Sequence, residues 1–255
     1  MEQQNIVVIG CGNVASYFAH TFHSIGHCIV QIFHPNIEKA KALADLYQAE
    51  PVCDTDKINP HANLYIIAVK DNAIIEVVHK LPNTQGIIVH TSGSVGIDVL
   101  NKHHRKAVFY PLQSFTKKIV LSNRNFPILI ESYNQNDIEY LTKLGKDLGN
   151  EVIFMNSQER SRVHLAAVFA ANFTNHCIKM AYDIMIKNNH QPEMLLPLIK
   201  EIINKLNYIS PQQAQTGPAV RNDYAVIEKH LQMLKGDQEI QHIYQVLTQH
   251  IQQTS

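Results

Sequence analysis

What this sequence lacks removes several classes of function before any motif is considered. Net charge is absent: Lys plus Arg and Asp plus Glu number 22 each in 255 residues. Nothing in that balance points to a nucleic acid or an anionic membrane, so a small-molecule partner is expected. The 15 His are scattered along the chain, which argues against a metal-binding tract, and no metal is expected. Cys11, Cys28, Cys53 and Cys177 make neither a CxxC pair nor a zinc-ligand spacing. A disulfide framework and a metal knuckle are thereby excluded, and the four are expected to be buried thiols in a reducing compartment. Apolar runs fall short of the ~18 residues that a membrane helix needs. Met1-Glu2-Gln3-Gln4 offers no cationic start for a signal peptide. The expectation is a soluble, cytoplasmic protein without membrane or nucleic-acid partners.

What is present is apolar content of 45%, enough for a substantial core. Short β-rich runs alternate with helical patterns as far as about residue 155, the mark of βαβ units. Strands are predicted at Asn5 to Ile9, Cys28 to Phe33, Leu64 to Val69, Ile87 to His90, Ala107 to Tyr110, Pro127 to Ile130 and Val152 to Met155. Helices are predicted at Asn13 to Ile25, Ile37 to Tyr47, Asn72 to Lys80 and Asp137 to Leu148. After Asn156 only helical patterns remain, at Gln158 to about Asn188, Glu193 to Asn207, Tyr224 to Leu234 and Ile240 to Ile251. The expected fold is α/β: a Rossmann-like, doubly wound, mostly parallel sheet over residues 1–156, then an all-α domain over 157–255. The run Leu165 to Phe173 is apolar nearly all round. A helix of that kind is expected to be buried, inside its domain or against a second subunit, and a homodimer through the helical domain follows.

The strongest motif lies at the start. The buried strand Ile6-Val7-Val8-Ile9 runs into Gly10-Cys11-Gly12-Asn13-Val14-Ala15 and then a helix, which is GxGxxA in its strand–turn–helix context. The first Gly permits the tight turn, the second lets backbone approach a pyrophosphate, and Ala15 lets helix and strand pack closely. Free N–H groups at the helix start favour phosphate. A dinucleotide is therefore expected on Gly10, Gly12, Asn13, Val14 and Ala15. The acid that would hold an NAD ribose is missing, because the second strand ends at Phe33-His34-Pro35-Asn36. His34 and Asn36 can instead face a 2′-phosphate, which favours NADP without excluding NAD. Lys39 and Lys41 follow, either as contributors or as solvated helix charges.

A resemblance covering nearly the whole chain rests on four further motifs: His90-Thr91-Ser92-Gly93-Ser94, Phe109 to Phe115, His164 to Phe169 with Asn172-Phe173, and Thr216-Gly217-Pro218-Ala219 with Arg221 and Asp223. The first half resembles the coenzyme-binding domain of pyrroline-5-carboxylate reductase, ketopantoate reductase and deazaflavin-dependent NADP oxidoreductases. The full pattern is similar to a bacterial family, labelled NADP oxidoreductase, that adds a helical domain of unknown function. The resemblance implies a two-domain cofactor-binding protein that dimerises through its helices. One departure matters: β-hydroxyacid dehydrogenases of similar plan carry a catalytic Lys four positions before an Asn, and here Val168 stands four before Asn172. Reduction of an imine that arrives protonated needs such an acid least.

In doubly wound sheets ligands sit beyond the carboxyl ends of the strands. Val69, Lys70 and Asp71 are thus candidates for the nicotinamide ribose, or Asp71 or Asn72 caps a helix. Ser92 and Gly93 either approach a bound carbonyl or carboxylate, or make a turn. His90 and His164, with Ser92 and Asn172, are the catalytic candidates, since histidine titrates near neutral pH; a hydrogen-bonded structural histidine is the alternative. Thr216, Gly217 and Arg221 are candidates for binding substrate from the helical side, with Arg221 gripping a carboxylate or phosphate. Alternatively, Arg221 and Asp223 pair at a helix start. Two functions follow: an NADP-dependent oxidoreductase acting on a small polar substrate between the domains, or an NADP(H) sensor without turnover.

Overall fold

The computed structural model describes residues 2–116 and 125–254. The chain divides into two compact units, Met1–Asn172 and Phe173–Ser255.

The first unit is built on one eight-stranded sheet. Its strands are β1 (Asn5–Ile9), β2 (Cys28–Phe33), β3 (Glu50–Val52), β4 (Leu64–Ile67), β5 (Ile87–His90), β6 (Lys106–Pro111), β7 (Ile128–Ser132) and β8 (Val152–Phe154). They lie in the order β3-β2-β1-β4-β5-β6-β7-β8. The six strands from β3 to β6 are parallel, β7 runs antiparallel to β6, and β8 is parallel to β7. The sheet confirms the mostly parallel expectation and adds β3. That strand was hidden by its brevity and by Pro51, which an edge strand tolerates because one side makes no ladder bonds.

Around the sheet stand α1 (Asn13–Ser24), α2 (Ile37–Ala44), α3 (Asp71–Lys80), α4 (Gln135–Asp147) and α5 (Ser157–Ala167). Alternation along β1 divides the core in two. Ile6 and Val8 pack with Phe18 and Phe22 of α1 on one face, while Val7 and Ile9 pack with Ile74 and Val78 of α3 on the other. A strand buried on both faces reads as a continuous apolar run, as β1 does. On α1 the buried positions Ala15, Phe18, Ala19 and Phe22 form one stripe, yet its N-cap is Gly12 with no side-chain cap bond. Burying each Phe is worth about 1.5–3 kcal/mol, whereas Gly in place of a good cap costs only a few tenths. Packing therefore holds α1, and its N-terminus is left open.

The second unit is helical, with α6 (Thr174–Lys187), α7 (Leu196–Lys205), α8 (Pro211–Ala214), α9 (Tyr224–Met233) and α10 (Gln238–Thr254). The single long helix expected over Gln158 to Asn188 is instead α5, a π-helical stretch over Val168–Phe173, and α6. The units divide within that stretch, later than the change of texture at residue 156, and α5 falls in the first unit. It is held there by Arg160, fully buried and paired with Glu131 of β7. Burial of the apolar run within the chain does not occur: Leu165, Phe169 and Phe173 are each at least half exposed. The cysteines also depart from expectation, since Cys28, Cys53 and Cys177 are exposed and Cys11 is half-buried. No described helix is long and apolar enough to cross a membrane.

Candidate functional site

The carboxyl ends of β1, β2, β4, β5 and β6 open into a cleft of about 1180 Å³, whose lining among the described residues comes from the first unit. At its centre is the glycine turn. Gly10 has φ +118°, and a Cβ built there would lie 2.3 Å from the Ala68 carbonyl oxygen. Its backbone N–H donates to the Phe33 carbonyl at 2.9 Å. Gly10 is therefore required by the fold, because only glycine lets β1 turn this close to the end of β4. Gly12 differs: its φ is ordinary, and nothing lies within 4 Å of an added Cβ. The space beside it opens into the cleft. The first turn of α1 carries no acidic residue, so the helix end is free to take an anion. Asn13 and Val14 line the cleft; the Asn13 amide also donates to the Phe115 carbonyl at 2.8 Å. Ala15 is fully buried on the stripe against β1.

On the β2 side the lining includes Phe33, His34, Pro35, Lys39, Leu43, Leu46 and Tyr47. His34 accepts the Asn36 backbone N–H on Nδ1 at 2.9 Å, which fixes its ring. Asn36, a candidate phosphate contact, caps α2 by accepting the Lys39 N–H at 3.1 Å and lies outside the cleft lining. Lys39 is in the lining, and Lys41 is not.

At the other end the cleft meets Val69, Lys70, Asp71, Thr91, Ser92, Gly93, Tyr110 and His164. Lys70 is the N-cap of α3 without a side-chain bond. The Asp71 carboxylate is thus not a cap; it accepts the Ser94 hydroxyl proton at 2.5 Å and ties the loop after β4 to the loop after β5. Ser92 Oγ accepts the N–H groups of Ser94 and Val95 at 3.2 and 3.1 Å, making the turn that was the alternative reading of this residue. His90 is fully buried and outside the lining. Its Nδ1 accepts the Ser92 N–H at 3.2 Å. Burial, with the charge of Arg160 adding, pushes its pKa down to about 4. At neutral pH His90 is an uncharged prop under the loop. His164 lies in the lining and its Nδ1 is 3.0 Å from the Tyr110 hydroxyl. Gly93 leaves room for that ring, since a Cβ there would lie 2.6 Å from His164 Cγ and Nδ1.

Behind this loop is a buried polar network. Arg160 is bonded to Glu131, and its Nη2 donates to the Val95 carbonyl at 2.6 Å. Ser157 Oγ donates to Glu131 at 2.7 Å and accepts the Ile97 N–H at 3.1 Å. The network anchors both sides of the loop end, and no local pattern in the sequence announces it.

Other candidates lie elsewhere. Asn172 is exposed in the π-helical stretch and outside the cleft lining. Thr216 and Arg221 are exposed and Gly217 is half-buried in the second unit. There Asp223 caps α9, its carboxylate accepting the Val226 N–H at 3.2 Å. Tyr110 is a cleft residue that the sequence does not single out, while Lys39, left open as a phosphate contact or a solvated charge, is in the lining. Lys39 was visible as a basic residue just past a strand end; the pairing of Tyr110 with His164 had no signal in the sequence.

Two family profiles match the chain: "NADP oxidoreductase coenzyme F420-dependent" over residues 5–101 and "Domain of unknown function (DUF2520)" over residues 126–251. No curated protein matches it. Among solved structures, the "putative NADP oxidoreductase" of Bacteroides fragilis is 36% identical over 99% of both chains, with a TM-score of 0.92. A reductive aminase from Aspergillus terreus, solved with NADPH and ethyl-5-oxohexanoate, is 14% identical over 97% of this chain and 93% of its own, with a TM-score of 0.70. A pyrroline-5-carboxylate reductase from Streptococcus pyogenes is 12% identical over 99% and 100%, with a TM-score of 0.62. These last two share the fold. With the glycine turn, the cleft and the identity to the Bacteroides protein together, the chain belongs to the NADP oxidoreductase family in which a Rossmann-type coenzyme domain is joined to a DUF2520 domain.

Proposed function

We propose that this protein is an NADP-dependent oxidoreductase that reduces a C=O or C=N group of a small polar substrate, or oxidises the corresponding alcohol or amine, in the cleft of its first unit. The observation that carries the reading is the open space beside Gly12, which faces a cleft at an uncapped helix N-terminus. A pyrophosphate fits there because backbone donors and helix dipole favour an anion and no side chain obstructs it. Gly12, Asn13 and Val14 would hold the pyrophosphate, His34 and Lys39 the 2′-phosphate, and Val69, Lys70 and Asp71 the nicotinamide ribose. NADP supplies or accepts the hydride when bound. The protein's own part is to orient the reacting groups with Ser92, Tyr110 and His164 and to exclude water. Fluorescence titration with NADPH, followed by steady-state oxidation with a panel of 2-oxo acids and cyclic imines, tests the reading. Tight binding with no turnover on any of them would leave a nucleotide sensor in its place.

Lys39 should decide nucleotide preference. A Lys ammonium in reach of a phosphate makes a charge-assisted bond, whereas a carboxylate there repels it. Lys39→Glu is expected to cut the preference for NADP over NAD by about tenfold or more, measured by calorimetry with both nucleotides. An unchanged ratio would make Lys39 a solvated helix charge.

A homodimer through the second unit is part of the same proposal. Ile186, Met194, Leu198 and Ile203 are each more than half exposed, and large apolar side chains left to water in a helical unit are suited to cover by a second copy. Light scattering over a dilution series is expected to give twice the chain mass. A monomer at every concentration would end this part of the reading.

A further inference from the structure

We infer that Tyr110 and His164 form a two-residue proton relay for the substrate oxygen, and that Gly93 is glycine because the relay needs its imidazole in place. The inference rests on the oxidoreductase reading above and deepens it. Both residues line the cleft, and the Tyr110 hydroxyl lies 3.0 Å from His164 Nδ1. Tyr110 is the fifth residue of β6, which fixes its backbone in the sheet, and His164 comes from α5, so the contact joins two rigid elements. The rings meet edge to face, at 5.7 Å between centroids and 85° between planes.

Gly93 supplies an independent observation. An added Cβ would lie 2.6 Å from the imidazole Cγ and Nδ1 and 2.8 Å from His164 Cβ. Even alanine would therefore push the ring away from where it meets Tyr110, so the loop after β5 leaves its side chain out where the imidazole sits.

The relay works in both directions. In oxidation, the substrate hydroxyl proton passes to Tyr110 Oη as the Tyr110 proton passes to His164 Nδ1, leaving a neutral phenol and an imidazolium. In reduction, imidazolium Nδ1–H returns a proton to Tyr110 Oη while the phenol proton goes to the substrate oxygen. One proton crosses and none is lost. The charged groups that bear on Tyr110 are Asp71 and Arg160: burial raises the phenol pKa, Asp71 raises it further and Arg160 opposes. The phenol thus stays protonated and able to donate. This supplies the acid that Val168 does not provide, and it brings ketone and alcohol substrates within reach.

The test compares wild type with Tyr110→Phe, His164→Asn and Gly93→Ala, and it has two readouts. The first is ¹⁵N NMR of histidine-labelled protein, following His164 Nδ1 through a pH titration. Tyr110→Phe and Gly93→Ala are each expected to move that signal and its midpoint, since either breaks the same bond. The second is NADPH oxidation with the 2-oxo acid and imine panel. All three variants are expected to lose kcat by about 100-fold, the usual scale of general acid–base catalysis, with KM and NADPH affinity within about threefold. Gly93→Ala would show the loss with both relay residues still present. A His164 signal indifferent to Tyr110→Phe, or kcat in Tyr110→Phe within twofold of wild type, overturns the relay while NADPH binding leaves the cofactor reading standing. Failure of wild type to bind NADPH overturns the oxidoreductase reading instead, a different result on a different measurement.

Discussion

Gly12→Val is expected to abolish NADP binding while leaving the fold in place, and Gly10→Ala is expected to damage the fold itself. The two glycines stand two residues apart in one motif, yet their surroundings are opposite. A Cβ on Gly12 meets nothing within 4 Å, so a side chain there enters open space and fills the place where a pyrophosphate would lie. Loss of affinity by at least about 100-fold is expected, equivalent to ~2.7 kcal/mol. A Cβ on Gly10 would lie 2.3 Å from the Ala68 carbonyl oxygen and 2.9 Å from its carbon, at φ +118°. Backbone cannot yield as a flexible side chain can, and the strained dihedral alone costs about 1–3 kcal/mol. Melting curves and NADPH titrations on the same preparations separate the cases. A folded Gly12→Val protein with normal affinity would show that the turn holds no phosphate.

Arg160→Met should produce a large loss of stability. Arg160 is fully buried and Glu131 nearly so. Removing one partner leaves a buried charge without compensation, which costs about 3–5 kcal/mol. Ser157 Oγ and the Val95 carbonyl lose a donor as well. For a protein of this size each kcal/mol lowers Tm by roughly 2–4 °C, so a fall of about 6–20 °C is expected. The double change Arg160→Met with Glu131→Leu removes both charges and should recover much of the loss. Calorimetry of the three proteins decides the point. A fall below about 3 °C for Arg160→Met, or no recovery in the double variant, would mean that packing rather than the ion pair holds α5 to the sheet.

The parts of this protein that are legible in its sequence depend on neighbours a few residues away. β1 and the glycine turn are readable because a doubly buried strand, a tight turn and a helix stripe each leave a local pattern. The extent of β6 and β7 was off by one or two residues, and β3 was lost because Glu50-Pro51-Val52 is too short to show alternation. What pairs across the chain left no such trace. Tyr110 and His164 meet although 54 residues separate them, and nothing in either segment announces the other. Ser92 and Asn36 are residue types that serve turns and caps as readily as ligands; only geometry shows that Ser92 holds the loop after β5 and that Asn36 caps α2. Apolar pattern likewise marks the run Leu165 to Phe173 for burial, but pattern cannot say whether the cover comes from the same chain.

The central place of β1 also governs when during synthesis this chain can begin to recognise a nucleotide. Gly10 is fixed by the Phe33 carbonyl at the end of β2 and by close approach to Ala68 just past β4. The turn that is made before β2, β3 and β4 is therefore among the later pieces to be finished, because it waits for a segment that must fold back across β2 and β3 to insert beside β1. Closing such a long loop costs entropy before any contact repays it. A nascent chain that stops short of Ala68 should have the glycine motif in full and no grip on NADP, so the nucleotide acts as a late ligand that selects completed sheets.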